Sequence, residues 1–397
     1  MEKFRKSFTQ QEPIPESGIS RAVEVMRSGR LHRYNVNEGE KSEATILEEK
    51  FAHYLGVRFC LACASGGYAL TTALRAFGIK ANEPVLTNAL TLSPVPGAIH
   101  SAGAHAVLVD TTEQLVLDLD DLDRKLASTS ARLVLVSHMR GHIVDMDALC
   151  AILARHGAAL IEDCAHTMGA SWNGRPSGTF GIAACFSSQT YKHINSGEGG
   201  FLTSNDPGLM ARAIILSGSY MFYDHHTAGP APEAYQETRM VTPNCSGRMD
   251  NLRASILIPQ LEALDDRVEQ WNIRYRALEA GLIDVPGLKL PCRSPKEHYV
   301  GSSIQFLIPG ITAQKAEELL AICQRQGVVL KWFGAPEPRG YTSHYASWRY
   351  LTPQTLPRTD QVLNSLFDMR IPLTFSVEDC HLLGNIIRNV VKALHHS

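Results

Sequence analysis

One lysine lies in a run of small and hydroxyl residues, SSQTYKHINSGEGG, that directly follows the apolar segment IAACF. Surface lysines usually lie among other charges on a solvated helix face, whereas Lys192 has turn-forming residues on both sides. Lys192 is therefore either an ordinary loop lysine or a buried amine that is kept for chemistry. Burial and a neighbouring cation would lower the pKa of such an amine towards neutrality, which would make it a usable base or nucleophile.

Two other segments supply chemistry that complements an amine. LIEDCAH places Asp163 and His166 after an apolar run, and ASGG places Ser65 and Gly66 at a predicted strand-to-helix turn. The free N–H groups of a helix N-terminus can bind phosphate, although a simple helix cap has the same sequence. An anion cradle, one carboxylate and a desolvated lysine are what pyridoxal 5′-phosphate requires. Asp163 would keep its ring nitrogen protonated, and Lys192 would bind its aldehyde and later carry protons.

Other site chemistries fit this sequence less well. Glu162 faces the opposite side of its strand from Asp163, which disfavours a paired acid–base role. The same segment offers too few ligands for a metal ion, and we predict no metal site. Cys60 and Cys63 form a single CxxC in an apolar strand and are predicted to be core residues. The sequence contains no GxSxG elbow and no GxxxxGK[ST] loop.

The elements that must position these residues alternate between strand-like and helical patterns up to about residue 250. The strand-like runs are FCLACAS, PVLTNA, HAVLVD, ARLVLVSH, AALIED, ACFSSQ and GGFLTS. This alternation predicts an α/β fold with a largely parallel sheet covered by helices on both faces. Ligands bind at the carboxyl ends of such strands, where the serine–glycine turn, the aspartate and the lysine would meet.

The character of the sequence changes near residue 250. One long amphipathic helix is predicted for the segment NLRASILIPQLEALDDRVEQWNIRYRALEAGL, and an alternation of helices and strands follows it. We therefore predict a large domain over residues 1–250, with an N-terminal arm, and a smaller α+β domain over residues 251–397. The loops YDHHTAGPAPEAYQE and RGYTSHYASWRY are candidates for segments that cover a substrate.

Composition and charge exclude several classes of partner. A chain of 397 residues with 44% apolar and 20% charged residues is typical of a globular protein with two packed domains. A net charge of −2 and the lack of a Lys/Arg-rich run argue against nucleic acid as a partner. The N-terminus MEKFRKSFTQ lacks the apolar core of a signal peptide, and no apolar run has membrane-spanning length. We expect a cytoplasmic protein without membrane contact.

The order of these motifs resembles that of the DegT/StrS sugar aminotransferases, which are pyridoxal phosphate enzymes with the aspartate-aminotransferase-type fold (fold type I). The resemblance rests on ASGGYALTTAL, IEDCAHTMGA and GRPSGTFGIAACFSSQTYKHINSGEGG, and it is clear from about residue 16 to about residue 261. It implies a mostly parallel seven-stranded sheet, pyridoxal phosphate as cofactor and a homodimer whose subunits share their active sites.

Carried over position by position, the resemblance implies that Lys192 is the Schiff-base lysine, Asp163 the partner of the ring nitrogen and His166 a residue near the ring. The cofactor contacts that it implies are Ser65, Gly66, Gly67, Leu92, Asp163, His166, Ser187, Lys192 and, from the neighbouring subunit, Ser246 or Asn244. The predicted substrate contacts are Arg33, Tyr34, Arg140, His193 and Arg248.

Several positions depart from the family pattern. Gly67 replaces a threonine and removes one hydroxyl from the phosphate cradle, and Leu92 replaces an aromatic residue that stacks on the ring. Ser246 takes the position of the family's asparagine in NCSGRM. Arg140, in SHMRG, stands where the family has VHLYG. Its guanidinium would suit a carboxylate, which indicates an amino-acid substrate, unless Arg140 is a surface loop residue.

These residues are compatible with three functions. The first is transfer of an amino group from glutamate or glutamine to a keto-sugar, a keto-cyclitol or a related biosynthetic intermediate. The second is a pyridoxal phosphate-dependent lyase or cyclase that acts on a hydroxylated amino acid, which the departures at Leu92, Arg140 and Ser246 favour. The third is a non-catalytic, cofactor-binding regulator, against which the retained Lys192 argues.

Overall fold

The computed structural model describes residues 3–335 and 344–396, so residues 339–343 of the second candidate covering loop lie outside the described part. No helix in these two ranges has both the length and the apolar character needed to cross a membrane. The helices are α1 Glu16–Ser28, α2 Glu43–Leu55, α3 Gly66–Phe77, α4 Pro94–Ser101, α5 Leu119–Ser128, α6 Met146–His156, α7 Pro207–Ile214, α8 Asn251–Glu262, α9 Leu264–Leu282, α10 Ala313–Arg325, α11 Pro357–Ser365 and α12 Val377–His396. The strands are β1 Phe59–Cys63, β2 Pro84–Asn88, β3 His105–Val109, β4 Leu133–Ser137, β5 Ala159–Asp163, β6 Ser171–Trp172, β7 Arg175–Pro176, β8 Ala183–Ser187, β9 Gly200–Ser204, β10 Glu297–His298, β11 Ser303–Leu307, β12 Lys331–Trp332 and β13 Leu366–Arg370.

The large sheet has seven strands in the order β1-β9-β8-β5-β4-β2-β3. Strand β9 pairs antiparallel with β1 and β8, and the remaining neighbours pair in parallel. The prediction of a mostly parallel seven-stranded sheet is therefore confirmed. The parallel strands β4, β5 and β8 end side by side, at Ser137, Asp163 and Ser187.

Helices cover both faces of this sheet, as predicted. Helices α2, α5, α6 and α8 pack on one face, and α3, α4 and α7 pack on the other. Successive residues of β1 divide between the two cores: Cys60 and Ala62 belong to the first, and Leu61 and Cys63 belong to the second. The strands are apolar throughout because both sides of the pleat are buried.

A second, antiparallel sheet has the order β11-β13-β12 and belongs to the predicted smaller α+β layer. Its sequences SIQFL and LFDMR alternate between apolar and polar residues. Ile304, Phe306 and Phe367 face a core that is built with α9, α10 and α12. The opposite face carries Ser303, Gln305, Asp368 and Arg370 and, at one end, the apolar pair Leu307 and Leu366.

The chain crosses between the two layers more than once. Helix α8 packs on α1 and α2, and its apolar residues belong to the core of the large sheet. At the other end of the chain, Phe4 and Phe8 belong to the core of the small sheet. A division of the chain at residue 250 stays a prediction, since the packing groups α8 with the large sheet and the first described residues with the small one.

The long helix predicted after residue 250 is interrupted. The backbone at Ala263 has φ −95° and ψ 8°, which separates α8 from α9. Pro259 lies inside α8 and lacks the N–H that would continue the hydrogen-bond ladder of the helix. The two helices can thus take different directions, and Leu278 and Leu282 of α9 join the core of the small sheet.

Glu162, next to Asp163 on β5, fixes the loop between β7 and β8. Its carboxylate accepts backbone N–H groups from Gly178 at 3.0 Å, Phe180 at 2.7 Å and Gly181 at 3.0 Å. The side chain is fully buried, so these donors satisfy a charge that water does not reach. Glu162 therefore stabilises the loop between β7 and β8, and Asp163, the next residue, faces the other side of the strand.

Replacing this buried acceptor should destabilise the protein. In Glu162→Gln an amide N–H₂ group meets backbone donors, so at least one of them loses its partner, at a cost of about 1–3 kcal/mol. Thermal unfolding followed by circular dichroism should show a lower midpoint for this variant. Glu262→Gln is the control, because Glu262 is 55% exposed and pairs with Lys50 at the surface. Equal midpoints for the two variants would contradict the assigned role.

Candidate active site

Lys192 and His166 lie in direct contact. Lys192 Nζ is 2.8 Å from His166 Nε2. Burial above all, together with the charges of Arg140 and Arg370, lowers the pKa of Lys192 to about 7, although Asp163 acts in the opposite direction. Burial, followed by the charge of Lys192, holds the pKa of His166 well below its usual value. The imidazole is therefore neutral at pH 7 and can accept a hydrogen bond from the amine.

Asp163 is held at the end of β5 by neighbouring strand ends. Its Oδ2 accepts the hydroxyl of Ser137 at 2.7 Å, and its Oδ1 accepts the backbone N–H of Ala165 at 3.1 Å. The Ser137 hydroxyl accepts in turn from Thr91 Oγ1 at 2.8 Å, and the Asn88 side chain fixes the Ser137 backbone. This chain of bonds orients one buried carboxylate towards the site. Our reading of the sequence did not include Ser137, Thr91 or Asn88, although a polar residue at the end of the apolar run ARLVLVSH is the kind of signal that marked Asp163.

The serine–glycine turn lies at the N-terminus of α3, as predicted. Ser65 caps the helix by accepting the N–H of Tyr68 at 3.1 Å. A Cβ on Gly66 would lie 3.0 Å from the Cβ of Ser187, and a Cβ on Gly200 would lie 2.4 Å from the backbone N of Gly66. Glycine is needed at position 200 because two backbones approach so closely there, and a side chain at position 66 would be tightly crowded. The first N–H groups of a twelve-residue helix thus lie beside the end of β8, where they can bind an anion.

These groups enclose a cavity of about 80 Å³, which we call the first cavity. It lies between the helix N-terminus, the Asp163 carboxylate and the Lys192 amine. The residues that line it are Gly66, Gly67, Leu70, Thr91, Leu92, Pro94, Val95, Ser137, Asp163, Ala165, His166, Ser187 and Lys192. Seven of the predicted cofactor contacts are therefore together in one place, and Ser65 caps the helix beside them.

A second cavity shares Lys192 and His166 with the first. It is small, about 20 Å³, and it is lined by Gln11, Arg140, His166, Tyr191, Lys192, His193, Trp271, Ser302, Ser303, Arg370, Ile371 and Pro372. Two of the predicted substrate contacts, Arg140 and His193, are in this wall. Our reading of the sequence did not include Arg370, which comes from the small sheet, far from the other site residues in the chain.

The remaining predicted contacts line neither cavity of their own chain. Arg33 forms a buried ion pair with Glu48 at 2.6 Å, and the charges of Arg33 and His226 outweigh burial and lower the pKa of Glu48 to about 2. Tyr34 bonds to Ser219 at 2.5 Å and to His226 at 2.8 Å. This pairing holds one nitrogen of the guanidinium against Glu48, and the predicted substrate contact of Arg33 stays a prediction.

The segment NCSGRM also lies apart from both cavities. Asn244 and Ser246 are exposed, and Arg248 donates a hydrogen bond to the carbonyl of Gly218. Any contact of these residues with a cofactor must therefore be made with another copy of the chain.

Comparison with known proteins places this chain in a family. A family model described as the DegT/DnrJ/EryC1/StrS aminotransferase family matches residues 14–388. An L-glutamine:2-deoxy-scyllo-inosose aminotransferase of Micromonospora echinospora is 33% identical over 274 residues, which are 68% of this chain and 64% of that protein. This chain thus spans less than two thirds of the length of that relative.

Two further similarities cover more of the chain. An L-glutamine:scyllo-inosose aminotransferase of Streptomyces griseus is 34% identical over 319 residues, which are 76% of this chain and 74% of that protein. The crystal structure of a 3-amino-5-hydroxybenzoic acid synthase superposes with a TM-score of 0.82, covers 97% of this chain and 98% of that one, and is 23% identical. That structure shows the fold alone. The family match shows more: this chain belongs to the DegT/DnrJ/EryC1/StrS aminotransferase family.

Proposed function

We propose that this chain is a pyridoxal phosphate-dependent aminotransferase that moves an amino group from glutamate or glutamine to a keto-cyclitol or a keto-sugar. The family and the names of the two scyllo-inosose aminotransferases support the reaction and the substrate class. The observation that carries the proposal is the Lys192 amine, with a pKa of about 7, between a cavity fit for the cofactor and a second cavity. The cytoplasmic location is also part of the proposal.

The residues of the first cavity fit the cofactor. When bound, pyridoxal phosphate supplies an electron sink for the bonds at the α-carbon of an amino acid. The first N–H groups of α3 and the Ser187 hydroxyl would hold the phosphate, and Leu92 would pack against the ring. The Asp163 carboxylate, oriented by Ser137, would keep the ring nitrogen protonated.

Lys192 would both anchor the cofactor and move protons. An amine with a pKa of about 7 is half neutral at neutral pH, so it is a competent nucleophile and, after displacement by substrate, a base of suitable strength. His166 stays neutral, because its pKa is well below its usual value, and therefore adds no charge to the site.

The partner of this site is proposed to be a second copy of the chain. Asn244 and Ser246 are exposed, and so are large apolar side chains near them, including Met240 at 84% and Val241 at 78%. Exposed apolar area of this kind is typical of a protein–protein contact. We propose a homodimer in which NCSGRM of one copy completes the cofactor site of the other.

Incubation with L-glutamine alone tests the reaction. An aminotransferase must keep the amino group on its cofactor, so the loaded enzyme should release one equivalent of 2-oxo acid per site and then stop. Addition of scyllo-inosose should restart release. The Lys192→Ala variant is the control and should give none. If the wild type releases no 2-oxo acid but exchanges the α-proton of a hydroxylated amino acid with solvent, the chain is a lyase or cyclase instead.

Cofactor loading tests the state of Lys192. Only the neutral amine attacks an aldehyde, so loading of cofactor-free protein should speed up as pH rises through about 7 and then level off. Nα-acetyllysine, measured in parallel, corrects for the cofactor's own ionisations, and its rate should keep rising towards pH 10. Borohydride reduction and peptide mapping should find the label on Lys192. A label on another lysine, or a midpoint near 10, would falsify the assignment.

Complementation tests the shared site. Lys192→Ala and Arg248→Ala should each be inactive alone, whereas dimers mixed from both carry one intact site. Random reassociation should therefore recover about a quarter of wild-type activity, since half of the dimers are mixed. The control is the double variant mixed with Lys192→Ala, which has no intact site. Absence of recovery despite proven subunit exchange would show that NCSGRM does not act across the interface.

A further inference from the structure

The segment NCSGRM, residues 244–249, is held between two backbones. The carbonyl of Gly247 accepts the N–H of Ala64 at 2.7 Å, directly after the end of β1. The N–H of Gly247 donates to the carbonyl of Ser217 at 3.0 Å, in the chain that follows α7. NCSGRM therefore depends for its position on the end of β1 and on the path of the chain after α7.

The chain after α7 forms a π-helical turn, Ile215–Ser219, which we call the α7 turn. Gly218 in this turn has φ 107°, and a Cβ there would lie 2.9 Å from both Ser246 Oγ and Arg248 Nη1. Arg248 also donates a hydrogen bond to the carbonyl of Gly218. The path of the α7 turn thus determines where the side chains of Ser246 and Arg248 lie.

The α7 turn is attached to the N-terminal part of the chain through Tyr34. The Tyr34 hydroxyl lies 2.5 Å from Ser219 Oγ and 2.8 Å from His226 Nδ1. Burial above all raises the pKa of Tyr34, so its phenol keeps the proton at pH 7. The Tyr34 ring stacks on Phe222, with the ring centroids 5.5 Å apart. One side chain therefore joins the end of the α7 turn to the segment that follows it.

A buried carboxylate sets the direction of these hydrogen bonds. His226 Nε2 lies 3.2 Å from Glu48 Oε2, and burial lowers the pKa of His226, which is neutral at pH 7. A carboxylate only accepts hydrogen bonds, so the imidazole proton lies on Nε2 and Nδ1 accepts from Tyr34. Because the phenol has one proton, Tyr34 accepts in turn from the hydroxyl of Ser219. Both hydrogen bonds use the Tyr34 oxygen, and phenylalanine at this position would lose both.

Glu48 extends the same network to the end of β1. Its Oε1 accepts the N–H of Ala62 at 2.7 Å, and its Oε2 pairs with Arg33 Nη2 at 2.6 Å. The carbonyl of Ala62 accepts the N–H of Met249 at 3.2 Å. The network thus reaches NCSGRM through both of the backbones that hold it.

We propose that Tyr34 is a positioning residue, which fixes the α7 turn so that NCSGRM is correctly presented to the cofactor site of another copy of the chain. The inference rests on the proposed function, because contact of NCSGRM with another copy is part of it. Tyr34 is not among the described residues that line either cavity of its own chain. The effect of Tyr34 is therefore expected at the site of the other copy.

Cofactor affinity tests this role without turnover. The probe is pyridoxamine 5′-phosphate, an amine that cannot form an imine with Lys192. Its dissociation constant should be about three- to tenfold higher for cofactor-free Tyr34→Phe than for the wild type, since two hydrogen bonds are lost. Tyr54→Phe is the matched control: it also loses a phenolic hydrogen bond, to Asp265 at 2.7 Å, and should bind the probe like the wild type.

Other roles of Tyr34 would give a different result in this titration. A merely structural residue would lower only the unfolding midpoint, and a substrate contact would raise only KM. An unchanged dissociation constant for the probe in Tyr34→Phe overturns the proposal.

A double-mutant cycle tests the bond between Tyr34 and the α7 turn. Ser219→Ala removes the other half of the 2.5 Å contact, so it should weaken binding of the probe in the wild type. In Tyr34→Phe the same change should add little, because the contact is already lost. Full additivity of the two changes would show that Tyr34 does not act through Ser219 and would overturn the proposed path.

Mixed dimers show on which copy Tyr34 acts. In a dimer of a Lys192→Ala copy and an Arg248→Ala copy, the intact site uses Lys192 of one copy and NCSGRM of the other. Tyr34→Phe on the copy that supplies NCSGRM should lower the recovered release of 2-oxo acid by about two- to fivefold at half-saturating cofactor. The same change on the copy that supplies Lys192 should leave the release unchanged. An equal loss in both arrangements overturns the proposal.

The failures of the two proposals are distinguishable. Mixed dimers that recover activity, with no loss from Tyr34→Phe on either copy, keep the shared site and refute the role of Tyr34. No recovery despite proven subunit exchange refutes the shared site and, with it, the action of Tyr34 on another copy. A wild type that releases no 2-oxo acid from L-glutamine refutes the proposed reaction, whereas the titrations with the probe still decide whether Tyr34 supports the cofactor site.

Discussion

The removal of the Lys192 amine from water is the constraint on which the site depends. The small sheet contributes Ser303 and Arg370 to the cavity that Lys192 also lines, and specific bonds join this sheet to the large layer. Trp271 Nε1 donates to the carbonyl of Ile371 at 2.9 Å, and the Trp271 ring packs edge-on against His193. The pKa of Lys192 is therefore a property of how the two layers meet, and any change that parts them would return this amine to its ordinary, protonated state.

Two adjacent carboxylates on β5 point to opposite faces of the sheet and have different environments. Glu162 faces the loop between β7 and β8, where backbone N–H groups satisfy it, and it lies 3.3 Å from His138. With Cys164, these two side chains form a buried group with the composition of a metal site. The Glu162 oxygens are already engaged by donors, so the group is explained by loop anchoring. Asp163 faces the opposite way, into the first cavity.

The sequence was sufficient to predict what local pattern controls. The grouping of Ser65, Asp163 and Lys192 was predictable, because each follows or ends a strand and parallel strands bring their carboxyl ends to one edge of a sheet. The positions of Arg370 and Asp368 near the site were not predictable, since they depend on how the small sheet packs against the large one. The alternation in LFDMR showed that one face is polar, but no local rule shows what that face meets. The ion pair of Arg33 was not predictable for a similar reason, because its partner Glu48 lies on another element.

The departures from the family pattern can now be understood as changes in two different cavities. Gly67 and Leu92 both line the first, and a Cβ on Gly67 would meet only the Cβ of Pro94, at 3.7 Å. Packing therefore does not force glycine at this position, and the helix N-terminus offers its backbone N–H groups whether or not a hydroxyl is present there. Arg140 lines the second cavity, where it adds a charge and requires a partner, Asp368, and a left-handed backbone. The departures at Gly67 and Leu92 thus lie in the first cavity, whereas Arg140 lies in the second and is supported from both layers.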